Sequence, residues 1–278
     1  MADGRNNEIE ETKIQGVNGP ITGWLDGHTI LVGLMAYPIR HTMSPTMHNN
    51  AFAKLGLNGA YLCFEIDNEK LPGAIDAIRT LDMRGSNVSM PNKKKVIPYL
   101  DKLDKTSQMC DAVNTIVNEH GVLTGYTTDG MGWLRALKKD GQDVKGKIIT
   151  LAGAGGAATP IAVTASLEGA KEIRIFNLDD DKWAQAVKNV ETINKETDCV
   201  ASVHHLEDKE AFKQSIAESG IYCDATGVGM PPLDDLSLVE DPSWLHEDMV
   251  VSQGAESFKL WTGKEMPVDY IKEIVAKA

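Results

Sequence analysis

The chain lacks an apolar run long enough to span a membrane, an apolar N-terminal stretch resembling a signal peptide, and any C-x-x-C pair. Its four cysteines, Cys63, Cys110, Cys199 and Cys223, lie far apart. That spacing suggests neither zinc nor a redox dithiol and predicts reduced, buried thiols in a cytoplasmic protein. Clustered positive charge is also scarce. The formal net charge is −12 and the densest basic run is Lys93-Lys94-Lys95, which disfavours nucleic acid because neutralising phosphates takes clustered Lys and Arg. There are no internal repeats, no low-complexity tracts and no Pro- or Ser-rich linker.

What is present suits a globular chain of two domains: 278 residues, 42% apolar and 24% charged. Apolar runs of strand length alternate with amphipathic stretches of helix length, the pattern of an α/β protein with parallel sheets. The reading places strands at Ile30 to Met35, Tyr61 to Glu65 and Asn87 to Met90, and helices at Ser44 to Leu55, Leu71 to Leu81 and Asp104 to Cys110. Ser44-Pro45 fits an N-cap followed by Pro in the first turn. Thr115 to Val117 and Val122 to Tyr126 fit a hairpin around His120-Gly121. A helix from Gly130 to Lys139 follows, and a strand from Lys147 to Ala152 opens a second βα series. The boundary is expected near Asp129. Residues 1–128 would form one domain, with helices of residues 253–278 packing back on it, and residues 129–252 the other.

The second series carries a dinucleotide signature. Ile148, Ile149 and Leu151 read as a buried parallel strand running into Gly153-Ala154-Gly155-Gly156-Ala157-Ala158, a G-x-G-x-x-A fingerprint. The first Gly permits the tight turn, the second lets backbone approach a pyrophosphate, and Ala158 lets the next helix pack close. That helix would aim its N-terminal amides at the phosphates. The expected fold of this part is a Rossmann-like, doubly wound domain. Its next strand ends in Asn177-Leu178-Asp179-Asp180-Asp181, where an acidic side chain would accept from a ribose 2′-OH and repel a 2′-phosphate. No Arg follows, so NAD is expected over NADP, with Asp179 or Asp180 as the reader. The loop Thr226-Gly227-Val228, after a strand at Gly220 to Asp224, lies where a nucleotide would rest at a sheet's carboxyl edge.

Three polar segments interrupt the first series: Pro38-Ile-Arg-His-Thr-Met-Ser-Pro45, Asn87-Val-Ser-Met-Pro-Asn-Lys93, and Ala112-Val-Asn-Thr115 with Thr127-Thr-Asp-Gly130. In order, they resemble the H-S-x-S-P, N-V-[ST]-x-P-x-K, A-V-N-T and N-T-D-G motifs of the shikimate dehydrogenase family. With the glycine loop in register after them, the resemblance covers roughly residues 30–251. Gly33-Leu-Met-Ala-Tyr-Pro-Ile-Arg40 and Leu260-Trp-Thr-Gly-Lys264 look like the NAD-using quinate/shikimate branch. Leu178 stands where the NADP-dependent biosynthetic branch usually has Arg.

The resemblance implies an oxidoreductase that moves a hydride between NAD and a ring hydroxyl of quinate or shikimate. It makes Lys93 the catalytic lysine and Asp129 its paired acid, and leaves open which of them moves the proton. Thr42 and Ser44 would hold the substrate carboxylate, although Ser44 fits a helix cap equally well. Ser89, Asn114 and Thr128 match positions lining the ring hydroxyls, Tyr61 a pocket tyrosine and Gln253 a substrate glutamine. Gly153, Ala154, Gly155, Gly156, Ala157, Asn177 and Thr226 to Val228 would hold the cofactor. The implied partner is a small molecule; a homodimer is allowed for, and no metal is implied.

Three features depart from the family. Thr42 stands where the family commonly has Ser. Thr127 replaces the Asn of N-T-D-G. After Val251, Ser252 runs directly into Gln253-Gly254-Ala255, about 30 residues short of the family pattern, or roughly one βα unit. That shortfall keeps a second reading open, a regulator that binds quinate, shikimate or nucleotide without turning it over. A folate-type methylene dehydrogenase shares a two-domain layout and a lysine, but the polar pocket residues argue against it.

Overall fold

The structure, a computed structural model, describes residues 25–139 and 141–228, together with residues 237–241, 244, 262, 264, 267 and 270. In chain order the first part gives β1 (Ile30–Ala36), α1 (Ser44–Lys54), β2 (Gly59–Glu65), α2 (Leu71–Thr80), β3 (Gly85–Val88), β4 (Lys102–Leu103), α3 (Lys105–Cys110), β5 (Thr115–Glu119) and β6 (Val122–Tyr126). β1 is buried along most of its length and pairs in parallel with β2 on one side and β3 on the other. Alternate β1 side chains serve separate cores, as period-two geometry requires. Val32, Leu34 and Ala36 pack with Phe52 and Tyr61, while Met35 packs with Ile75, Ile78 and Ile116.

The six-stranded sheet runs β2-β1-β3-β5-β6-β4. It is not wholly parallel as expected, because β5 is antiparallel to both β3 and β6. The expected hairpin, with positive φ at His120 and Gly121, sets β5 against β6, and the chain enters β5 antiparallel to β3 after α3.

The second part contains β7 (Ile148–Ala152), α5 (Ala158–Leu167), β8 (Glu172–Asn177), α6 (Trp183–Glu196), β9 (Val200–His205), α7 (Lys209–Glu218) and β10 (Ile221–Asp224). Its strands are all parallel, in the order β10-β7-β8-β9. The order reverses at β7, so a crevice opens beyond the carboxyl ends of β7 and β10, where open α/β sheets bind ligands.

α4 (Asp129–Lys139) joins the two parts. Its neighbour α5 is buried at every position from Ala158 to Ser166, which explains why it is built of small and uncharged residues rather than as an amphipathic stripe. The helices meet backbone to backbone. A Cβ on Gly130 would lie 2.2 Å from the Pro160 carbonyl oxygen and 2.2 Å from Thr164 Oγ1. Glycine at this place therefore fixes how Asp129, one residue earlier, stands relative to the loop that starts α5. Tyr270 packs against the Val32 and Phe52 cluster, with the Lys54 ammonium 4.9 Å from its ring centre. Among the described residues no helix is long and apolar enough to cross a membrane.

Candidate active site

The segment after β3 is held by its own polar side chains. Asn92, fully buried, donates through Nδ2 to the Ile66 carbonyl at 2.7 Å, and the Val113 amide donates to the Lys93 carbonyl at 2.8 Å. Lys93 is thus presented from a fixed backbone. Its Nζ lies 2.9 Å from Asp129 Oδ2, and the two side chains are 25% and 21% exposed, shielded yet reachable. Asn114 Nδ2 donates to Asp129 Oδ1 at 2.7 Å. The Asn114 side-chain oxygen in turn accepts from the Thr128 amide at 3.0 Å, the Thr128 hydroxyl at 3.1 Å and the Thr115 hydroxyl at 2.9 Å. One amide therefore ties the acid to the hairpin, leaving an ammonium and a carboxylate side by side, able to hold a hydroxyl and exchange its proton.

These groups line a cleft of about 420 Å³ with Thr42, Ser44, Ser89, Thr128 and the apolar Leu34, Ile39 and Met47. The Thr42 hydroxyl donates to Ser44 Oγ at 3.0 Å and accepts from the Ser44 amide at 3.2 Å. The capping role open to Ser44 is not realised. Met43 is the N-cap, without a side-chain cap bond, and Ser44 begins the helix with its hydroxyl at the cleft. His41 is exposed and does not line the cleft.

Tyr61 corrects the expectation of a pocket tyrosine. It is fully buried behind the cleft, and its hydroxyl donates to Asn87 Oδ1 at 2.8 Å. Asn87 Nδ2 passes that order on, donating to the Asn114 carbonyl and to Thr115 Oγ1, each at 3.1 Å. Burial pushes the Tyr61 phenol well above its ordinary range. His48, not singled out from the sequence, lines the cleft and stacks on Tyr61 with ring centres 4.3 Å apart at 7°. Burial pushes its imidazole down to about 3, so it is neutral there. Its signal in the sequence was a histidine four residues after Ser44 on an otherwise uncharged helical face. Thr127 points away from the cleft, its hydroxyl donating to the Ala112 carbonyl and lying 3.0 Å from Ser107 Oγ.

A second cleft, about 520 Å³, opens beyond β7 and β10 and is lined by Gly153, Ala154, Gly155, Gly156, Asn177, Asp180, Thr226, Gly227 and Val228. Gly153 has φ +99°, and a Cβ there would lie 3.1 Å from the Ala225 carbonyl oxygen. A Cβ on Gly155 or Gly156 would meet no atom within 4 Å, so the loop presents bare backbone to the crevice. Asp224 Oδ1 accepts from both the Thr226 amide and hydroxyl, setting that loop.

Three corrections follow. Asp180 lines the cleft while Asp179 does not; Asp180 Oδ1 accepts from Asn177 Nδ2 at 3.0 Å and from the Lys182 amide at 2.9 Å. Ala157 turns to the Lys93 cleft instead. Cations are present although no Arg is, since Lys182 and Lys209 line the same crevice. Gln253 and the junction after Val251 lie outside the described residues. Among the described residues no group of His, Cys, Asp and Glu is arranged to hold a metal.

Comparison with known proteins agrees with this geometry. Residues 34–116 match the model of the shikimate dehydrogenase substrate binding domain, and residues 247–275 that of the shikimate 5'-dehydrogenase C-terminal domain. The chain is 52% identical to the shikimate dehydrogenase (NADP(+)) of Streptococcus uberis, with 90% of this chain and 97% of that protein covered. It is 48% identical to the enzyme of that name from Listeria monocytogenes, with 92% and 98% covered. A crystal structure of shikimate 5-dehydrogenase from Listeria monocytogenes, in complex with shikimate and NAD, superposes with a TM-score of 0.87 at 47% identity, covering 92% of this chain and 99% of that one. The curated relatives carry NADP(+) in their names, which does not support the NAD-using quinate branch expected from the sequence. The Streptococcus match runs over 285 residues while taking in 90% of a 278-residue chain, so that relative has residues without a counterpart here.

Proposed function

We propose that this chain, which belongs to the shikimate dehydrogenase family, transfers a hydride between a nicotinamide dinucleotide and one ring hydroxyl of shikimate. The observation that carries this reading is that Gly156 and Ala157, from the glycine loop, line the same cleft as Lys93, Asp129, Thr42 and Ser44. The reacting carbon and the dinucleotide loop are thereby brought to one place. The names of the relatives supply the substrate.

The hydroxyls of Thr42 and Ser44 hold the substrate carboxylate, and Ser89, Asn114 and Thr128 hold the ring hydroxyls, with Gln253 completing the set. Lys93, as the neutral amine, takes the proton from the reacting hydroxyl during oxidation and, as the ammonium, returns it during reduction. Asp129 orients Lys93 through Oδ2 and accepts from the reacting hydroxyl. Bare backbone at Gly155 and Gly156, the N-terminus of α5, Asn177 and the loop Thr226 to Val228 hold the dinucleotide. When bound, the nicotinamide supplies the hydride acceptor; the protein supplies the alignment.

NAD is our preferred cofactor, because the Asp180 carboxylate stands in the crevice at the end of β8, where it would accept from a ribose 2′-OH. Lys182 and Lys209 are the groups a 2′-phosphate would pair with, which fits the relatives' use of NADP(+) in their names. Initial rates with NAD and NADP, each with shikimate and quinate, test both choices. A kcat/KM favouring NADP would overturn the first, and one favouring quinate the second.

The residues of the relative that have no counterpart here favour one other reading, binding without turnover. Calorimetric binding of shikimate with no reduced nicotinamide formed from either cofactor would establish it in place of the enzymatic one.

A further inference from the structure

A further cleft, about 340 Å³, shares no lining residue with the substrate cleft or the dinucleotide crevice. It opens at the opposite end of the first sheet. Ile30 and Leu31 line it at the start of β1, whose Leu34 lines the substrate cleft, and Asn118 lines it near the end of β5. The fold brings basic side chains here from three separate segments. His28 comes from the loop before β1, Arg84 from the lead into β3, and His120 from the β5-β6 hairpin. Among the described residues that line the cleft, Asp82 is the one carboxylate, although the protein as a whole has a net charge of −12.

The three segments are tied together beneath these side chains. The Arg84 amide donates to the Leu31 carbonyl at 2.9 Å, and its Nη1 donates to the Asn118 carbonyl at 3.0 Å. Asn118 is 3% exposed; its Nδ2 donates to the Met83 carbonyl at 2.9 Å and its Oδ1 accepts from the Gly121 amide at 2.8 Å. One buried amide thus locks the Arg84 segment to the hairpin that carries His120. Asp26 Oδ1 accepts from the His28 amide at 2.8 Å and from Asn58 Nδ2 at 2.7 Å, so this nearby carboxylate is taken up in holding the His28 loop.

We propose that this cleft binds the phosphate monoester of a small polyhydroxylated molecule, with the phosphate on Arg84, His28 and His120 and a hydroxyl of the remainder on the Asp82 carboxylate. A guanidinium meets phosphate oxygens as a fork, and an imidazole donates in either charge state. Donors from three segments suit the three acceptor oxygens of a phosphate monoester better than the two of a carboxylate. A cleft of this volume has room beyond the phosphate for a carbon skeleton, against Ile30, Leu31 and Met83.

The test is calorimetric titration of glucose 6-phosphate into the full chain with NADP and shikimate saturating, so that the glycine loop and Lys93 are covered. Glucose and inorganic phosphate are the controls. The expected result is saturable binding of glucose 6-phosphate, about tenfold weaker binding of inorganic phosphate and none of glucose. His28→Gln/His120→Asn changes two exposed side chains, and asparagine suits the φ of +54° at position 120. In that variant both phosphates should bind about tenfold more weakly. Asp82→Gly, which tolerates the φ of +48° there, should bring the affinities for glucose 6-phosphate and phosphate together. These readouts do not depend on the chain being a dehydrogenase. No binding of glucose 6-phosphate, equal binding of glucose, an affinity unchanged in the histidine variant, or an undiminished preference for the ester in Asp82→Gly would overturn the site.

Discussion

Asn114 donates to one oxygen of the Asp129 carboxylate at 2.7 Å and thereby leaves the other oxygen to Lys93. The orientation of the acid is thus set by an amide whose own oxygen is filled by Thr115 and Thr128. Asn114→Ala removes that donor. A carboxylate freed to rotate misplaces Lys93, and turnover is expected to fall about 100-fold. Steady-state kinetics should show the loss mainly in kcat, with the affinity for dinucleotide kept, because Asn114 does not line the crevice beyond β7 and β10.

Gly130→Ala tests the junction of α4 and α5. A methyl at this place meets the Pro160 carbonyl at 2.2 Å, and backbone cannot yield as a flexible side-chain end can. The expected destabilisation is about 1–3 kcal/mol. Denaturant unfolding monitored by tryptophan fluorescence reads it, and a midpoint equal to that of the wild type would show that the helices are not in contact here.

His48 gives a pH dependence of stability with a definite sign. Its pKa is lowered on folding, from 6.5 to about 3, by burial. The stability tied to the neutral ring is therefore complete above pH 6.5 and is lost as pH falls from there toward 3. Between pH 7 and pH 5 the loss from this one group is about 2 kcal/mol. His48→Gln, which cannot titrate, should lose correspondingly less over that interval; parallel losses in the two proteins would contradict a buried neutral ring.

Asp180→Ser probes cofactor choice. Removing the carboxylate removes both an acceptor for a 2′-hydroxyl and a repulsion against a 2′-phosphate. The ratio of kcat/KM for NADP over NAD is expected to rise about tenfold or more. An unchanged ratio would mean that Lys182 and Lys209, and not Asp180, set the preference.

Which parts of the site could be read from the chain follows from how local their causes are. The glycine loop, the strand before it and α5 after it lie within one contiguous stretch, so Gly153 to Gly156 were identifiable from the G-x-G-x-x-A pattern and its flanks. Lys93 and Asp129 were identifiable only through the resemblance, since neither spacing nor composition brings residues 36 positions apart together. Ser44 was open between a helix cap and the cleft because a Ser-Pro pair satisfies the cap pattern; it is not the N-cap, and its hydroxyl accepts from Thr42. Tyr61 was placed in the pocket by likeness and proves to be a buried support. His48, Lys182 and Lys209 were missed. Their meeting with the clefts depends on strand order and on how α1, α6 and α7 dock, which no local pattern encodes. The mixed sheet was half legible: the β5-β6 hairpin at His120-Gly121 was expected, but the antiparallel pairing of β5 with β3 depends on how the chain returns to the sheet after α3, which no local pattern encodes.

The most direct test of the account is shikimate-dependent formation of reduced nicotinamide by Lys93→Met beside the wild type. The account predicts a fall in kcat of about 100- to 10,000-fold with nucleotide affinity retained. A Lys93→Met protein that turns over as fast as the wild type would contradict it.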